Sequence, residues 1–371
     1  MRKFWIVCLA LLLAGCQKGP FALKKADRTV VAEEEEVDFK IGVAVGNAAA
    51  LDDNTWNAVA WKGIVQYVNR YPKTQVQRSV PKEDNQAGLE QTLKDLLEVE
   101  CDIIFSFGEE MGELLATYSQ EYPDVTFVLF QGEDLTSERD NFLSVSYEDQ
   151  QSAFLAGVAA ALNSESGQVG FIGGEEDGSV KRQSLGFKAG IGYANANYET
   201  HAVFQEPKFA GSFDDAIAGR KMAMDMYESG VDVIFACARI TTKGILEAAQ
   251  ILMERDQRHI WVIGVDSDIY EDGKSNDDRS VVLTSVTKDV DITLYWILER
   301  YARDDFPGGE VIHRTLKDGE LGLPKENKNF DEKTKALVEQ AQAQILDGSL
   351  VIPYELEELE AFAQSFGGGE S

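Results

Sequence analysis

The sequence has few of the side chains on which metal sites and most catalytic sites depend. It contains only three histidines, at positions 201, 259 and 313, and their spacing matches no zinc-binding pattern. The phosphate-loop pattern GxxxxGK[ST] and the GxSxG, HExxH and CxxC patterns are also missing. We therefore expect no metal, no cofactor and no enzymatic activity.

Basic residues are scarce as well. The chain has 35 lysines and arginines against 64 aspartates and glutamates, which gives a formal net charge of −29. Nucleic-acid binding depends on a positively charged surface, so we expect no nucleic-acid partner. Solubility is a simpler explanation for this charge than recognition of a basic ligand.

Of four cysteines, only two lie beyond the N-terminal segment. Cys101 and Cys237 each stand inside an apolar run, CDIIFSF and VIFACA. A disulfide would have to join these distant segments, so we predict two buried free thiols.

The chain begins with MRKFWIVCLALLLAGC, which has the order of a bacterial secretion signal. Its apolar stretch is too short for a permanent membrane helix. The sequence LAGC at 13–16 matches the signal-peptidase pattern of bacterial lipoproteins. We therefore predict a signal peptide over residues 1–15 and a lipidated Cys16. An ordinary cleaved signal or an uncleaved anchor is the alternative.

The segment 16–38 is polar and contains four consecutive glutamates, so we expect it to be a flexible tether. The body would then be exported from the cytoplasm and held at the cell membrane or outer membrane by lipid alone.

Short apolar runs alternate with helical patterns along the rest of the chain, and the alternation restarts near residue 168. The strand-like runs are Phe39–Gly46, Cys101–Phe107, Val125–Gln131, Phe142–Ser146, Gln168–Gly173, His201–Gln205, Val231–Ala236 and His259–Val265. Such alternation predicts parallel sheets with helices on both faces. We expect an α/β protein with two doubly wound lobes and a ligand cleft at the carboxyl ends of the strands.

The predicted first lobe comprises residues 39–146 plus about 268–320, because a strand at Ser280–Val286 and a helix at Val290–Arg303 would return to it. The second comprises 147–267 plus about 321–360. We expect a flexible tail over 361–371.

Sequence blocks at the strand ends resemble the basic membrane protein (BMP) family of lipoproteins, in particular its purine nucleoside receptor A type. The blocks occur in the family's order over nearly all of residues 39–350. They are IGVAVGNAAALDDNTWNAVAWKGI, PDVTFVLFQG, NFLSVSYEDQQSAFLAGVAAAL, GQVGFIGG, GFKAGIGYAN, FAGSFDDAIAGRKMA, GVDVIFACA, VIGVDSD, VLTSVTKDVD and LKDGELGL.

This resemblance implies a type I periplasmic-binding fold and delivery of a purine nucleoside to an ABC transporter permease. Two further interpretations remain open. The same fold could bind a different, anionic solute, or the chain could be a surface antigen, interaction or regulatory lipoprotein with a vestigial cleft.

The resemblance also assigns candidate ligand contacts. Trp56 and Phe213 match two aromatics that stack on the purine, although both could be core residues. Asp266 in GVDSD matches a ribose-binding carboxylate, with a hinge or helix-cap role as the alternative. Lys288 would donate to sugar oxygens, pair with Asp266 or lie in solvent. Asp53 would contact ligand or cap the first helix.

Two positions depart from the family pattern. Asn47 stands where the family usually has a base-binding aspartate, and its amide can donate as well as accept. Arg239 replaces a glycine-rich turn. It would either fill the cleft or clamp a carboxylate or phosphate.

Overall fold

The computed structural model describes residues 29–30, 37–46, 56–83, 85–130, 139–276 and 278–366. The predicted signal peptide, Cys16 and most of the predicted tether lie outside these residues. Within the tether, Thr29–Val30 forms a short strand that pairs with the edge of the first sheet. That part of the segment is therefore not free, because an open sheet edge offers unpaired backbone groups.

The first sheet has seven strands in the order β1-β3-β2-β4-β5-β6-β13, all parallel except β1. Their bounds are β1 Thr29–Val30, β2 Phe39–Ala44, β3 Thr74–Ser79, β4 Ile103–Phe107, β5 Thr126–Phe130, β6 Phe142–Tyr147 and β13 Val311–Arg314.

The second sheet also has seven strands. Six form the order β14-β12-β11-β10-β7-β8, and β9 pairs with β7; all pairings are parallel except that of β14. Their bounds are β7 Gln168–Gly173, β8 Val203–Phe204, β9 Lys208–Phe209, β10 Val233–Cys237, β11 Trp261–Asp266, β12 Val282–Lys288 and β14 Leu321–Gly322.

Ten helices are seen in the described residues, and they cover both faces of both sheets. They are α1 Trp56–Arg70, α2 Gln86–Glu98, α3 Gly112–Glu121, α4 Asp149–Asn163, α5 Gly178–Asn197, α6 Ala216–Glu228, α7 Thr241–Asp256, α8 Val290–Tyr301, α9 Glu332–Asp347 and α10 Leu356–Gln364. Strand β4 shows why both faces are apolar. Phe105 packs in the core shared with α1 and α8, whereas Ile104 packs in the core shared with α2 and α3.

The α/β class and the two parallel sheets predicted from the sequence are confirmed. The assignment of the strand near Ser280 to the first lobe is wrong, since β12 pairs with β11 in the second sheet. A buried apolar run does not reveal which sheet it joins. The chain returns to the first lobe only afterwards, with α8 packed against α1 and β13 paired with β6.

The C-terminal segment also differs in part from expectation. Helix α9 packs against α4, as predicted for the second lobe. The flexible tail expected from residue 361 is wrong as far as residue 366, because α10 continues to Gln364. Phe362 packs edge-on against Phe154, and Phe366 packs edge-on against Tyr193.

The two cysteines are buried and free, as predicted. Burial raises the pKa of Cys101 to about 12, so its thiol stays protonated at neutral pH.

Three connections cross between the two sheets, and hydrogen bonds join them. They are the turn from β6 to α4, the turn from β12 to α8, and the segment from β13 to β14. The Glu148 N–H donates to the Arg314 carbonyl at 2.8 Å, and the Asp289 N–H donates to the Glu320 carbonyl at 2.8 Å. Backbone hydrogen bonds therefore join the third connection to each of the other two.

A buried ion pair lies at the same crossing. The Lys288 ammonium is 2.6 Å from Asp149 Oδ1, and the two side chains are 2% and 1% exposed. These two atoms do not form a well-directed hydrogen bond, so the contact is mainly one of charge. The other carboxylate oxygen accepts a 2.8 Å hydrogen bond from Ser179. Asp149 thereby joins α4, α5 and the end of β12.

Helices α4 and α5 approach each other closely through glycines. A Cβ on Gly190 would lie 2.0 Å from the Phe154 carbonyl oxygen, and one on Gly157 would lie 2.1 Å from the Phe187 carbonyl oxygen. Any side chain at these positions would separate the helices. By contrast, a Cβ on Gly192 of the same helix would meet nothing within 4 Å.

We predict opposite effects for two glycine substitutions in α5. Gly190→Ala should lower the free energy of unfolding by about 1–3 kcal/mol, because the methyl group would overlap backbone of α4. Gly192→Ala should leave it unchanged or raise it by up to about 1 kcal/mol, because alanine is the better helix former. Urea unfolding followed by circular dichroism measures both. Equal effects would contradict the close approach of the helices.

We also predict that Lys288→Met lowers the free energy of unfolding by about 3–5 kcal/mol, because it leaves the buried Asp149 carboxylate without a counter-charge. The double variant Asp149→Asn/Lys288→Met should be more stable than Lys288→Met alone. Lys221→Met, which breaks the exposed pair with Asp225, is the control and should have little effect. A double variant less stable than Lys288→Met would count against a coupled buried pair.

Candidate ligand-binding cleft

A cavity of about 530 Å³ opens at the carboxyl ends of strands from both sheets. Gly46 and Phe107 contribute from the first sheet, and Ala238, Val265 and Asp266 from the second. Ligands of open α/β sheets bind at this edge, and the volume is within the range of small-molecule sites.

Phe213, one of the two aromatic residues predicted to stack on a base, lies in the cavity wall. Its loop is fixed by Thr241 at the start of α7. The Thr241 N–H donates to the Phe213 carbonyl at 3.0 Å, and its hydroxyl accepts from the Asp215 N–H at 2.9 Å. The ring is partly buried and packs on the main core, so it combines a packing role with access to the cavity.

Arg239 also lines the cavity and lies over the Phe213 ring, with its guanidinium carbon 4.4 Å from the ring centroid. Its Nε is buried without a hydrogen-bond partner. The backbone φ of +43° is in the left-handed region that glycine adopts more easily. The position therefore keeps the conformation of a glycine turn while presenting a cationic side chain.

Asp266 ends β11 and lines the same cavity, also with a left-handed backbone, φ +70°. Burial raises the pKa of its carboxyl group, and the nearby Lys288 ammonium opposes this shift. Strained backbone at two neighbouring lining residues is typical of binding sites.

Lys288 is part of the same electrostatic group but does not line the cavity. It pairs with Asp149, rather than with Asp266 as the sequence had suggested, and it is fully buried. The alternative of a solvated lysine does not hold, since the side chain is 2% exposed. Asp149 was not among the predicted site residues.

Three of the predicted contacts cannot be placed in the cavity. Asn47 and Asp53 lie outside the described residues, although Asn47 directly follows the lining residue Gly46. Trp56 is the first residue of α1, and its side chain is outside the described set. Their roles stay predictions.

The structure brings several acidic residues into the cavity that the sequence did not single out as ligand contacts. They are Glu109, Glu110, Glu175 and Asp177, and together with Asp266 they make five lining carboxylates. Asp177 also caps α5, where its Oδ1 accepts from the Val180 N–H at 2.8 Å. Burial raises the pKa of Asp177. The motif EEDG after β7 therefore forms a helix start at which two of the acids, Glu175 and Asp177, line the cavity.

A second, smaller cavity of about 340 Å³ adjoins the first. Arg239, Val265 and Asp266 line both cavities. The Arg239 side chain thus stands at the boundary between two compartments of the cleft. In the part of the chain that the structure describes, no helix is both long and apolar enough to cross a membrane.

Comparison with known proteins agrees with this architecture. A solute-binding protein of an ABC transporter system from Aeropyrum pernix superimposes with a TM-score of 0.74 at 21% identity, covering 88% of this chain and 98% of that one. At that identity the similarity establishes the fold, which is that of the type I periplasmic solute-binding proteins.

Sequence relatives extend over nearly the whole chain. The CD4+ T-cell-stimulating antigen of Listeria innocua is 30% identical over 95% of this chain and 98% of its own length. The ABC transporter nucleoside-binding protein BmpA of Lactococcus lactis is 28% identical over 92% of this chain and 95% of its own. The family described as ABC transporter substrate-binding protein PnrA-like matches residues 40–355. The chain therefore belongs to the PnrA-like (BMP) family of ABC transporter substrate-binding proteins.

Proposed function

We propose that this protein is a lipid-anchored binding protein that captures a purine nucleoside and delivers it to an ABC transporter permease. The observation that carries the proposal is the presence of Phe213 and Asp266 in one cavity of about 530 Å³. An aromatic ring and a carboxylate are the two groups that a base and a ribose need. The name of the Lactococcus lactis relative, a nucleoside-binding protein, supports the same ligand class.

The base would stack on Phe213, with Trp56 as the second ring of the sandwich. Stacked aromatic pairs gain dispersion and favourable quadrupole contacts beyond simple burial. In the structure, the Arg239 guanidinium covers one face of Phe213. A base that enters must therefore displace this guanidinium or stack on its outer plane, and a planar guanidinium supports such stacking.

The ribose would bind at Asp266. A carboxylate can accept two hydrogen bonds from neighbouring hydroxyls, and hydrogen bonds to a charged acceptor are stronger than neutral ones. The raised pKa of Asp266 reflects the cost of holding this charge in the unliganded cleft.

Charge supports a neutral ligand over the anionic alternative. Five carboxylates line the cavity, whereas Arg239 is the cationic residue among its lining residues. An anion would meet repulsion from most of the wall. The open volume also supports retained small-molecule binding rather than a vestigial cleft.

Binding would close the two lobes about the three bonded crossings. The ligand shifts the equilibrium toward the closed state to the extent that it contacts both lobes. Phe107 and Gly108 of the first lobe face Phe213 and Asp266 of the second across one cavity. This arrangement supports a ligand held from both sides.

We predict that adenosine, guanosine or inosine raises the melting temperature of the purified protein, because ligand binds the folded state alone. Trp56→Ala and Phe213→Ala should each abolish the rise. Tyr122→Ala, which removes an exposed ring at the end of α3, is the control and should keep it. No rise with any nucleoside would contradict the proposal. A rise with anionic metabolites that is lost in Arg239→Ala would favour the alternative ligand class.

The anchor makes a separate prediction. In a bacterial host grown with labelled palmitate, the full-length chain should carry label and sediment with membranes. Cys16→Ser should lose both, because the thiol is the proposed acylation site. Cys8→Ser, within the predicted signal, is the matched control and should stay labelled. Label that persists in Cys16→Ser would exclude this residue as the anchor.

A further inference from the structure

Gln183 is a buried amide in the wall of the cavity and has no assigned role. It lies on α5, lines the cavity of about 530 Å³ and is 3% exposed. Its Oε1 is buried and has no hydrogen-bond partner. Sites of this kind are rare in folded proteins, because a buried polar atom without a partner is costly.

The two other polar residues that line the cavity from this end of α5 differ from Gln183 in this respect. Asp177 accepts the 2.8 Å cap hydrogen bond from Val180 N–H, and Ser179 donates at 2.8 Å to Asp149. Both line the cavity, but both are held by the protein itself. Of these three polar residues, Gln183 is the one whose side chain remains available for a hydrogen bond to a ligand.

The chemistry of the amide complements the rest of the wall. The lining carboxylates offer acceptors, so acceptor atoms of a ligand find few donors there. An amide brings a neutral donor and an acceptor side by side. This pair matches a base edge on which a donor adjoins an acceptor, as asparagine and glutamine match adenine.

We propose that Gln183 is a specificity-determining ligand contact that reads a donor–acceptor edge of the base. The inference rests on the proposed nucleoside function and adds the group that recognises the base beyond stacking. The Gln183 Oε1 has no hydrogen-bond partner within the protein, and a bound base would supply one.

The test compares Gln183→Met with the wild-type protein by isothermal titration calorimetry. Methionine has similar length and volume but no donor or acceptor. The dissociation constants for inosine and adenosine should rise about tenfold or more. Purine riboside lacks a group at position 6 of the base and cannot offer the complete donor–acceptor edge. Its affinity should therefore fall clearly less in Gln183→Met than the affinities for inosine and adenosine.

The unliganded melting temperature separates ligand recognition from a structural role. Gln183→Met should melt at or above the wild-type temperature, because the variant removes a polar group that has no partner in the protein. Gln344→Met is the matched control. Gln344 lies on α9 and accepts a 2.8 Å hydrogen bond from Tyr193, so this variant should melt lower and bind nucleosides unchanged.

Two results would overturn the inference: unchanged affinities in Gln183→Met, or a melting temperature lowered as much as in Gln344→Met. If Gln183→Met lost affinity for inosine and for purine riboside to the same extent, the proposal that Gln183 recognises the base edge would be overturned. If the wild-type protein binds none of the three nucleosides, the proposed function fails. The unliganded melting temperature of Gln183→Met then still decides whether the amide has a structural role.

Discussion

One buried ion pair holds together the elements of the second lobe at the point where the chain crosses to and from the first lobe. Lys288 ends a strand of the second sheet just before the chain crosses, and Asp149 starts the helix that follows the first crossing. Removing either charge would leave the other buried in the protein interior without a counter-charge, where it is poorly solvated. Through Ser179, the same carboxylate contacts a residue of the cavity wall. The crossing between the lobes and the cavity wall are therefore linked through one buried carboxylate.

Arg239 distinguishes this cleft from the family pattern, in which a glycine-rich turn occupies the same position. The backbone keeps the left-handed turn that glycine adopts most easily, while the side chain covers an aromatic face and borders two compartments. Cleft shape in this chain is therefore set by a long cationic side chain. That side chain packs on the ring that we propose as the stacking partner of the base. A base bound as proposed would compete with the guanidinium for this ring.

Most of the fold was predictable because buried parallel strands are apolar on both faces and therefore stand out as apolar runs in the sequence. Strand β3, TQVQRS, was missed because five of its six residues are polar. It is defined by its pairing with β2, which the sequence does not show. Phe213 and Asp266 were found through their motifs at strand and helix ends. Gln183 was missed, yet a signal existed: it shares one helix face with the buried residues Val180 and Phe187. A polar residue on an apolar helix face indicates a side chain that hydrogen-bonds either to another group of the protein or to a ligand.

The order of the crossings also governs how the chain folds. The first sheet is complete only when β13 pairs with β6, and α1 is covered only when α8 arrives. The first lobe therefore cannot finish folding until residues 290–314 are available. Contacts of such long sequence separation slow folding, because the intervening chain must first be closed into a loop. For a chain whose N-terminus predicts passage through a membrane before folding, slow folding prolongs the state in which translocation is possible.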